Sequence, residues 1–279
     1  DSDEALVFGL HYPYPRLPSL LWGTHSTIYN ERARAADPEE FGYASADGTG
    51  PFSLESWSEE RIVAVRATDD DGERARLERL EWCSILDPDE RVAALERGEV
   101  DVLHGPPFSD AERLAADERF TVVEHPQASS VYLAPDWHRT DLGFDDVRVR
   151  ETISLAVDRD AIVREVFAGR GHATWGPVPP GDAFYDESVE AGRAVDAERA
   201  RALLRAVRGD DPIRCECLTQ DDPFIREIAT MVVEQLARVG IELELRFATP
   251  FGPFYEQAAA GPACFLSKWL WQDAGDAVI

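Results

Sequence analysis

Two glycines separated by a single residue, Gly48 and Gly50, have the spacing that comes nearest to a phosphate-binding loop in this sequence. A dinucleotide-binding loop needs a third glycine and a helix that begins at the phosphate, and a P-loop needs Gly-Lys-Ser or Gly-Lys-Thr. Here a proline follows the second glycine, and apolar and polar residues alternate over residues 52–56. An apolar run resumes at residues 62–65 after a short polar turn. Alternation on both sides of a turn is typical of a hairpin, so the segment predicts two paired strands over residues 50–67 and not a nucleotide site.

Thiols and imidazoles are the other side chains that could hold a metal or attack a substrate. Of the four cysteines, Cys215 and Cys217 lie two residues apart in a strand-like run, so their sulfurs point to one face. A disulfide between them would be strained, and a metal site would need more ligands nearby. Small buried apolar side chains are therefore the preferred interpretation. The six histidines are scattered, and no HExxH, GxSxG or CxxC motif is present, so the sequence predicts no catalytic centre, metal site or cofactor.

The length and the apolar content bound the architecture. The chain has 279 residues, of which 44% are hydrophobic, and this is enough for one large domain or two smaller lobes. It contains no run of 18 apolar residues, so we expect no transmembrane helix and no membrane insertion in this segment.

The most pronounced feature of the composition is its negative charge. The chain carries 54 acidic residues against 28 lysines and arginines, a net charge of −26, and Lys268 is the only lysine. Such a surface repels nucleic acid and anionic membranes because it has no basic face that could displace phosphate counterions. It also repels itself in dilute salt, whereas at 1 M salt charges are screened beyond about 3 Å. We therefore interpret the chain as a protein of a halophile that accumulates salt.

Short apolar runs, capping residues and glycines predict alternating strands and helices in the first half of the chain. Asp87 can cap a helix, Pro88 suits its first turn, and Gly98 can end it. A second helix is predicted near residues 109–117. The predicted strands, besides the hairpin, are residues 5–10, 77–85, 100–103, 120–123 and 131–134. Strand–helix–strand order is typical of an α/β sheet.

The second half continues this alternation. Aspartates precede its predicted helices and glycines follow several of them, as is typical of helix caps. The helices are predicted to begin after Asp145 or Asp146, after Asp158, after Asp196 and after Asp222, with a short one near residues 252–260. The strands are predicted at residues 213–218, 241–247 and 263–269. This order predicts an α/β fold with a mostly open sheet.

Six motifs in sequence order resemble the extracellular solute-binding proteins of ABC importers, family 5, which holds oligopeptide-, dipeptide- and nickel-binding proteins. Residues 48–57, GTGPFSLESW, are similar to the family's GTGPY/F-x-L-x-x-W hairpin. Residues 147–163, VRVRETISLAVDRDAIV, are similar to its V-R-x-A-I-x-x-A-I-D-R-x-x-I segment. The other matching segments are AALERGEVDV at 93–102, GPVPP at 176–180, ARALL at 200–204 and VGIEL at 239–243. Together they extend over nearly the whole chain.

The resemblance implies a two-lobed α/β fold of the type II periplasmic-binding-protein kind. It implies a protein that does no chemistry and captures a peptide-like solute for an ABC permease when its lobes close. Family members are considerably longer, so we expect an incomplete, internal part, with a partial lobe I at residues 1–126 and a partial lobe II at residues 127–279. The full-length protein is expected outside the cell, attached to its surface by a lipid anchor.

The resemblance also implies where the solute binds. Peptide binders of the family hold the ligand's amino group with an aspartate shortly after a tryptophan, and here Asp273 follows Trp269 and Trp271. A buried ammonium needs such a charged partner, and aromatic walls suit side-chain pockets. The spacing from Trp269 is one residue longer than in close peptide-binding relatives, so Asp273 as one more solvated acid stays an alternative. Trp175, beside the proline-rich loop, is a further candidate, with structural packing as its alternative.

One position departs from the pattern of the dipeptide binders. Those proteins carry an arginine before the helix that here follows Asp222, and it clamps the ligand's carboxylate. Thr219 and Gln220 occupy that place in this chain. The nearest basic residues are Arg214 and Arg226, and Arg226 falls inside the predicted helix. The departure argues against a strict dipeptide binder and leaves longer peptides or a different solute open.

Two alternatives to a peptide importer remain at this point. Within the same class, the solute is a nickel chelate or an oligosaccharide. In a different class, the chain is the solute-sensing domain of a cytoplasmic transcriptional regulator, whose DNA is bound by a separate helix-turn-helix domain. The sequence that precedes Asp1 in the parent gene distinguishes an exported importer component from a regulator.

The charge predicts that the fold depends on salt. On dialysis from molar KCl into dilute buffer we expect the melting temperature to fall, because 54 acidic residues then repel one another with little screening. Circular dichroism melts at a series of KCl concentrations measure it. A melting temperature that stays constant down to dilute buffer would contradict the halophile interpretation.

Overall fold

The computed structural model describes residues 7–14, 17, 21, 29–39, 41, 42, 46–67, 75–124, 129–178, 180, 185–249 and 252–270. The chain divides into two compact units, residues 1–111 and residues 112–279. The lobe division predicted between residues 126 and 127 lies outside the described residues and stays a prediction.

The first unit contains a small antiparallel sheet and short helices. Its elements are α1 (Glu31–Ala36), β1 (Phe52–Trp57), β2 (Arg61–Arg66), β3 (Arg79–Cys83) and α2 (Pro88–Glu96), and α3 (Phe108–Ala115) begins in this unit and ends in the next. The strand order in the sheet is β1-β2-β3, and both pairs are antiparallel. The predicted hairpin is confirmed as β1 and β2, with an irregularity in the register between Leu54 and Ser56.

The helix predicted after Asp87 is confirmed as α2. The Asp87 carboxylate accepts a hydrogen bond from the Glu90 backbone N–H at 2.9 Å and satisfies one of the free donors of the first turn. At the other end, Gly98 has φ +71°, a left-handed conformation that glycine adopts without steric cost.

Two predicted strands of the first half are wrong, and a third is irregular over the part that the structure describes. Residues 100–103 and 120–123 are irregular, and so are the described residues 7–10 of the first one. Val102 is 83% exposed and Val123 is 81% exposed, so neither apolar run is buried as a strand in a sheet would be. An apolar run in the sequence does not show whether a neighbouring strand is present to form the hydrogen bonds of a β-ladder.

The second unit is built on a four-stranded mixed sheet. Its elements are β4 (Ser129–Pro135), α4 (Val147–Ala156), α5 (Arg159–Val166), a 3₁₀ turn (Glu187–Val189), α6 (Ala197–Arg208), β5 (Ile213–Gln220), α7 (Pro223–Ala237), β6 (Ile241–Ala248), α8 (Gly252–Ala259) and β7 (Cys264–Leu270). The strand order is β4-β7-β5-β6. β5 is parallel to β6 and to β7, and β4 is antiparallel to β7. The predicted β-α-β-α-β order is confirmed as β5 to β7.

Aspartate caps explain where the helices of this unit begin. Asp146, Asp158, Asp196 and Asp222 each accept a hydrogen bond from a backbone N–H of the following first turn, at 2.8 to 3.1 Å. Because such caps act within a few residues, they could be read from the sequence. The main core lies between these helices and one face of the sheet, and its fully buried side chains include Val149, Ala200, Ala229 and Leu236. None of the helices in the described part of the chain is long and apolar enough to cross a bilayer.

A buried glutamine joins α7 to the α4–α5 junction. The Gln235 side chain, 8% exposed, accepts a hydrogen bond from the Asp158 backbone N–H at 2.8 Å. Asp158 is itself the N-cap of α5, so this contact fixes the entry of that helix against the core.

Replacing Gln235 by leucine removes the acceptor of that N–H. We expect the free energy of unfolding to fall by about 1–3 kcal/mol, because a donor is left without a partner. Urea unfolding in molar KCl measures this free energy. Glu234→Gln, at the exposed neighbouring position, is the matched control and should change stability by less than about 0.5 kcal/mol. Equal effects of the two substitutions would contradict this role of Gln235.

Candidate functional site

The carboxyl ends of the three parallel strands meet at one edge of the sheet in the second unit. β5 ends at Gln220, β6 at Ala248 and β7 at Leu270. Because β4 is antiparallel to β7, it begins at the same edge, with Ser129 opposite Leu270. Open α/β sheets bind ligands at this edge, where strands end and no helix covers them.

The strand register collects polar side chains on one face near this edge. Tyr132 lies opposite Ser267, and Ser130 lies opposite Trp269. Residues opposite each other share a face, and alternation places Ser130 and Tyr132 on the same one. Burial raises the pKa of Tyr132, and a hydrogen bond with the Ser267 side chain opposes part of that rise. The Tyr132 hydroxyl is therefore neutral at ordinary pH and can donate to or accept from a ligand.

Aromatic rings adjoin these polar groups. The Tyr132 ring meets that of Phe265 edge-on, with centroids 5.9 Å apart. Phe265 also meets Phe254 of α8 at 6.3 Å, and Phe254 meets Tyr255 at 5.5 Å. Phe254 is fully buried, whereas Tyr255 is 46% exposed. We call these four rings, Tyr132, Phe265, Phe254 and Tyr255, the aromatic bed. The edge thus combines the aromatic bed with hydroxyl groups, and such surfaces suit ligands that are partly apolar and partly polar.

Gln220 ends β5 on this face. Its side chain is 9% exposed, and Ala248 lies opposite it on β6. Thr219 points to the other face, where its hydroxyl is buried without a hydrogen-bond partner among the described residues. The amide of Gln220 is neutral, so it could bind a peptide group but could not neutralise a carboxylate.

The two arginines that could have compensated for this neutral amide are engaged elsewhere. Arg226 pairs with Asp221 at 2.6 Å and lies over the Phe247 ring at 3.6 Å from its centroid. Arg214 pairs with Glu242 at 2.7 Å, near the start of β5 and so away from the edge where that strand ends.

The structure places the four predicted site residues as follows. Trp269 lies in β7 opposite Ser130, but its side chain is outside the described residues. Trp271 and Asp273 lie wholly outside them. Trp175 lies in the segment between α5 and the 3₁₀ turn, partly buried under Arg159. The described residues bring none of these four into contact with another, so their role in binding stays a prediction.

Tyr132 and Ser267 were missed at the sequence level. Both lie in strands that were predicted correctly, but their proximity depends on the pairing of β4 with β7, which are far apart in the chain. Alternation within each strand could have suggested which residues share a face, but not which strands are neighbours.

Three of the cysteines meet in the core. Cys217 and Cys264 lie opposite each other on β5 and β7 and are buried, and Cys215 is partly buried, whereas Cys83 is exposed. Hydrogen bonds with Cys215 and Cys217, together with burial, raise the pKa of Cys264. A hydrogen bond with Cys264 lowers the pKa of Cys215. Within the described ranges, no group of His, Cys, Asp or Glu side chains is arranged to hold a metal ion.

These environments predict an order of thiol reactivity. Iodoacetamide should modify the exposed Cys83 readily, and Cys215 next, because its lowered pKa increases the thiolate fraction at neutral pH. Cys217 and Cys264 should react only after unfolding. Peptide mass spectrometry over a time course in molar KCl measures the rates, with urea-unfolded protein as the control. Labelling of Cys264 as fast as that of Cys215 would contradict the arrangement.

Comparison with known proteins identifies the family and the fold of this chain. Residues 1–278 match the model for "Bacterial extracellular solute-binding proteins, family 5 Middle". The chain is 26% identical over 286 residues to the dipeptide-binding protein of Escherichia coli K12, an alignment that covers 99% of this chain and 52% of that protein. It is 27% identical over 239 residues to the glutathione-binding protein GsiB of Salmonella paratyphi A, covering 85% of this chain and 46% of that protein.

A solved structure extends the likeness to the fold. The periplasmic binding protein DppA of Helicobacter pylori, in complex with the peptide STSA, matches with a TM-score of 0.84 at 19% identity, over 96% of this chain and 52% of that one. The predicted α/β fold of the periplasmic-binding-protein kind is thereby confirmed. The chain spans about half the length of the curated relatives it matches, 52% and 46% of the two named above.

Proposed function

This chain belongs to the bacterial extracellular solute-binding proteins of family 5, and we propose that it is part of the substrate-binding component of an ABC importer. In this proposal it captures a peptide-like solute outside the cell and performs no chemistry. The ABC permease recognises the ligand-closed state, which the solute stabilises because it binds that state more tightly than the open one.

The observation that carries the proposal is the polar and aromatic edge of the four-stranded sheet. Tyr132 and Gln220 offer neutral hydrogen-bonding groups on one face, and the aromatic bed lies beside them. Ser267, which is 2% exposed, supports the Tyr132 hydroxyl through a hydrogen bond. A peptide has both kinds of surface, with amide groups along its backbone and apolar side chains at intervals. Three comparison proteins support the same class of solute, since their names or titles include a dipeptide, glutathione and the peptide STSA.

We propose that the remaining contacts come from the residues at the end of the chain. Asp273 would pair with the ligand's amino group, and Trp269 and Trp271 would line side-chain pockets. Trp175 would contribute a further aromatic wall. In an acidic protein of net charge −26, a carboxylate at this place is consistent with attraction of a cationic terminus.

The neutral Gln220 favours peptides longer than two residues. A dipeptide places its carboxylate next to its only peptide bond, so a tight dipeptide site needs a cation there. With Arg214 and Arg226 engaged by Glu242 and Asp221, we propose that the ligand's carboxylate lies elsewhere, beyond the reach of Gln220.

The direct test is calorimetric titration of the full chain in molar KCl with di-, tri- and tetrapeptides, and with a nickel–histidine chelate and a maltotetraose as the other solute classes. We expect heat of binding with the tri- or tetrapeptides. Binding of the chelate or the sugar alone would overturn the peptide proposal, and so would binding of none of the solutes.

Tyr132→Phe tests the edge itself. Removing the hydroxyl should weaken peptide binding by about 2- to 10-fold, the size expected for one neutral hydrogen bond. Trp137→Phe is the matched control, because Trp137 is 64% exposed and follows the end of β4, so it lies at the opposite edge of the sheet. An equal affinity for peptide in Tyr132→Phe and the unchanged protein would place the ligand away from this edge.

Gln220→Arg tests the basis of length selection. The added guanidinium should improve dipeptide affinity relative to tetrapeptide affinity by about tenfold, because a charge-assisted hydrogen bond to the carboxylate becomes possible. Gln220→Met, which is equally long and uncharged, is the control. A ratio that does not change in Gln220→Arg would contradict the proposed place of the ligand.

A further inference from the structure

Arg159 makes an unusual set of contacts at the start of α5. Its Nη1 donates hydrogen bonds to the backbone oxygens of Ser154 and Val157, at 2.9 and 3.0 Å. Its Nη2 lies 3.3 Å from the Ser154 hydroxyl oxygen. Ser154 and Val157 belong to the last turn and C-cap of α4, where carbonyl groups lack partners within the helix. The edge of the guanidinium therefore holds the end of α4.

The face of the same guanidinium covers Trp175. The Arg159 Cζ lies 4.1 Å from the centroid of the indole ring, within the range of a cation–π contact. Arginine can make both contacts at once, because its donors lie in the plane of the group and leave its faces free to stack. Lysine, with a compact ammonium, could not cover the ring and reach two carbonyls in the same way.

A second contact fixes the backbone of Trp175. Its N–H donates to the Glu190 carboxylate, with distances of 2.9 and 3.1 Å to the two oxygens. Glu190 is the C-cap of the 3₁₀ turn, and the next residue after Trp175 approaches the same turn closely. A Cβ on Gly176 would meet Val189 Cγ1 at 3.1 Å, so only glycine fits there without displacing the valine.

Burial and two neighbouring charges, those of Glu190 and Arg193, act on the Arg159 guanidinium. Burial lowers the pKa of Arg159, and the nearby Glu190 acts in the opposite direction by favouring the charged form. Glu190 thus makes two interactions: it accepts a hydrogen bond from the Trp175 backbone N–H, and its charge attracts that of Arg159. In this way Glu190 holds the backbone of Trp175, and Arg159 covers one face of its indole ring.

We infer that Arg159, with Glu190, is a positioning residue that fixes the Trp175 indole in one orientation and presents its remaining face to the solute. The part of this inference that concerns the solute rests on the proposed function. The part that concerns the orientation of Trp175 does not. Arg159 itself is not expected to touch the ligand, since Nη1 and Nη2 donate to α4 and one face of the guanidinium covers Trp175.

The experiment uses the full chain labelled with 5-fluorotryptophan, observed by ¹⁹F NMR in molar KCl. Seven tryptophans give seven resonances, and the one missing in Trp175→Phe identifies Trp175. Arg159→Lys removes the stack and keeps the charge. Arg164→Lys, on the same helix with a side chain that is 67% exposed, is the matched control. Circular dichroism establishes that each variant is folded, and Glu190→Ala replaces Arg159→Lys if the latter does not fold.

The inference expects the Trp175 resonance to shift or split in Arg159→Lys and in Glu190→Ala, and to stay in place in Arg164→Lys. A Trp175 resonance that stays in place in all three variants overturns the positioning role. Changes of similar size in all seven resonances also overturn it, because they would show general loosening of the fold.

Peptide titrations separate this inference from the proposed function. Arg159→Lys should weaken peptide binding by about fivefold in the unchanged background and by less than about twofold in Trp175→Phe, because the effect acts through Trp175. Equal weakening in both backgrounds overturns the link to the solute. If the unchanged protein binds no peptide, the proposed function fails, and the resonances alone decide whether Arg159 orients Trp175.

Discussion

The short ladder between β5 and β7 is the contact on which the second unit depends. Three opposed pairs join these strands, Cys217 with Cys264, Leu218 with Phe265 and Thr219 with Leu266. Through them the parallel β5–β6 pair and the antiparallel β4–β7 pair form one sheet, with α7 and the core on one face and α8 on the other. Small thiol side chains suit this place, because they let the two strands and the helix above them approach closely without leaving a void.

The same ladder decides the chemistry of the edge. Because β7 lies between β4 and β5, side chains from three distant segments share one face. Tyr132 and Ser267 pair in the middle of β4 and β7, at the level where β5 ends with Gln220. The groups are neutral, although the chain carries 54 acidic residues. Many of the described arginines are engaged in surface ion pairs, as Arg214 and Arg226 are. An edge of this kind suits amides and apolar side chains better than free anions.

The cluster around Arg159 shows how a helix junction can also order a loop. The guanidinium occupies the free carbonyls at the end of α4 and the face of Trp175 at the same time. Arg159 stabilises the end of α4 whatever the solute is. Because Trp175 packs against Arg159, the position of its ring depends on the position of the two helices, α4 and α5. The contact with Arg159 gives the loop around Trp175 a defined position although the loop's described residues form no strand or helix. Gly176 contributes by letting the loop approach Val189 closely.

The sequence by itself determined the elements whose causes are local. The hairpin of β1 and β2 and the helices capped by Asp87, Asp158 and Asp222 were predicted because caps, turns and alternation act within a few residues. Family membership was also readable, since six motifs keep their order along the chain. The strands predicted at residues 100–103 and 120–123 were wrong, because an apolar run becomes a strand only beside another strand. For the same reason only the tertiary structure decided that Tyr132 meets Ser267 and that Arg159 covers Trp175: each contact joins segments whose proximity depends on the packing of the whole unit.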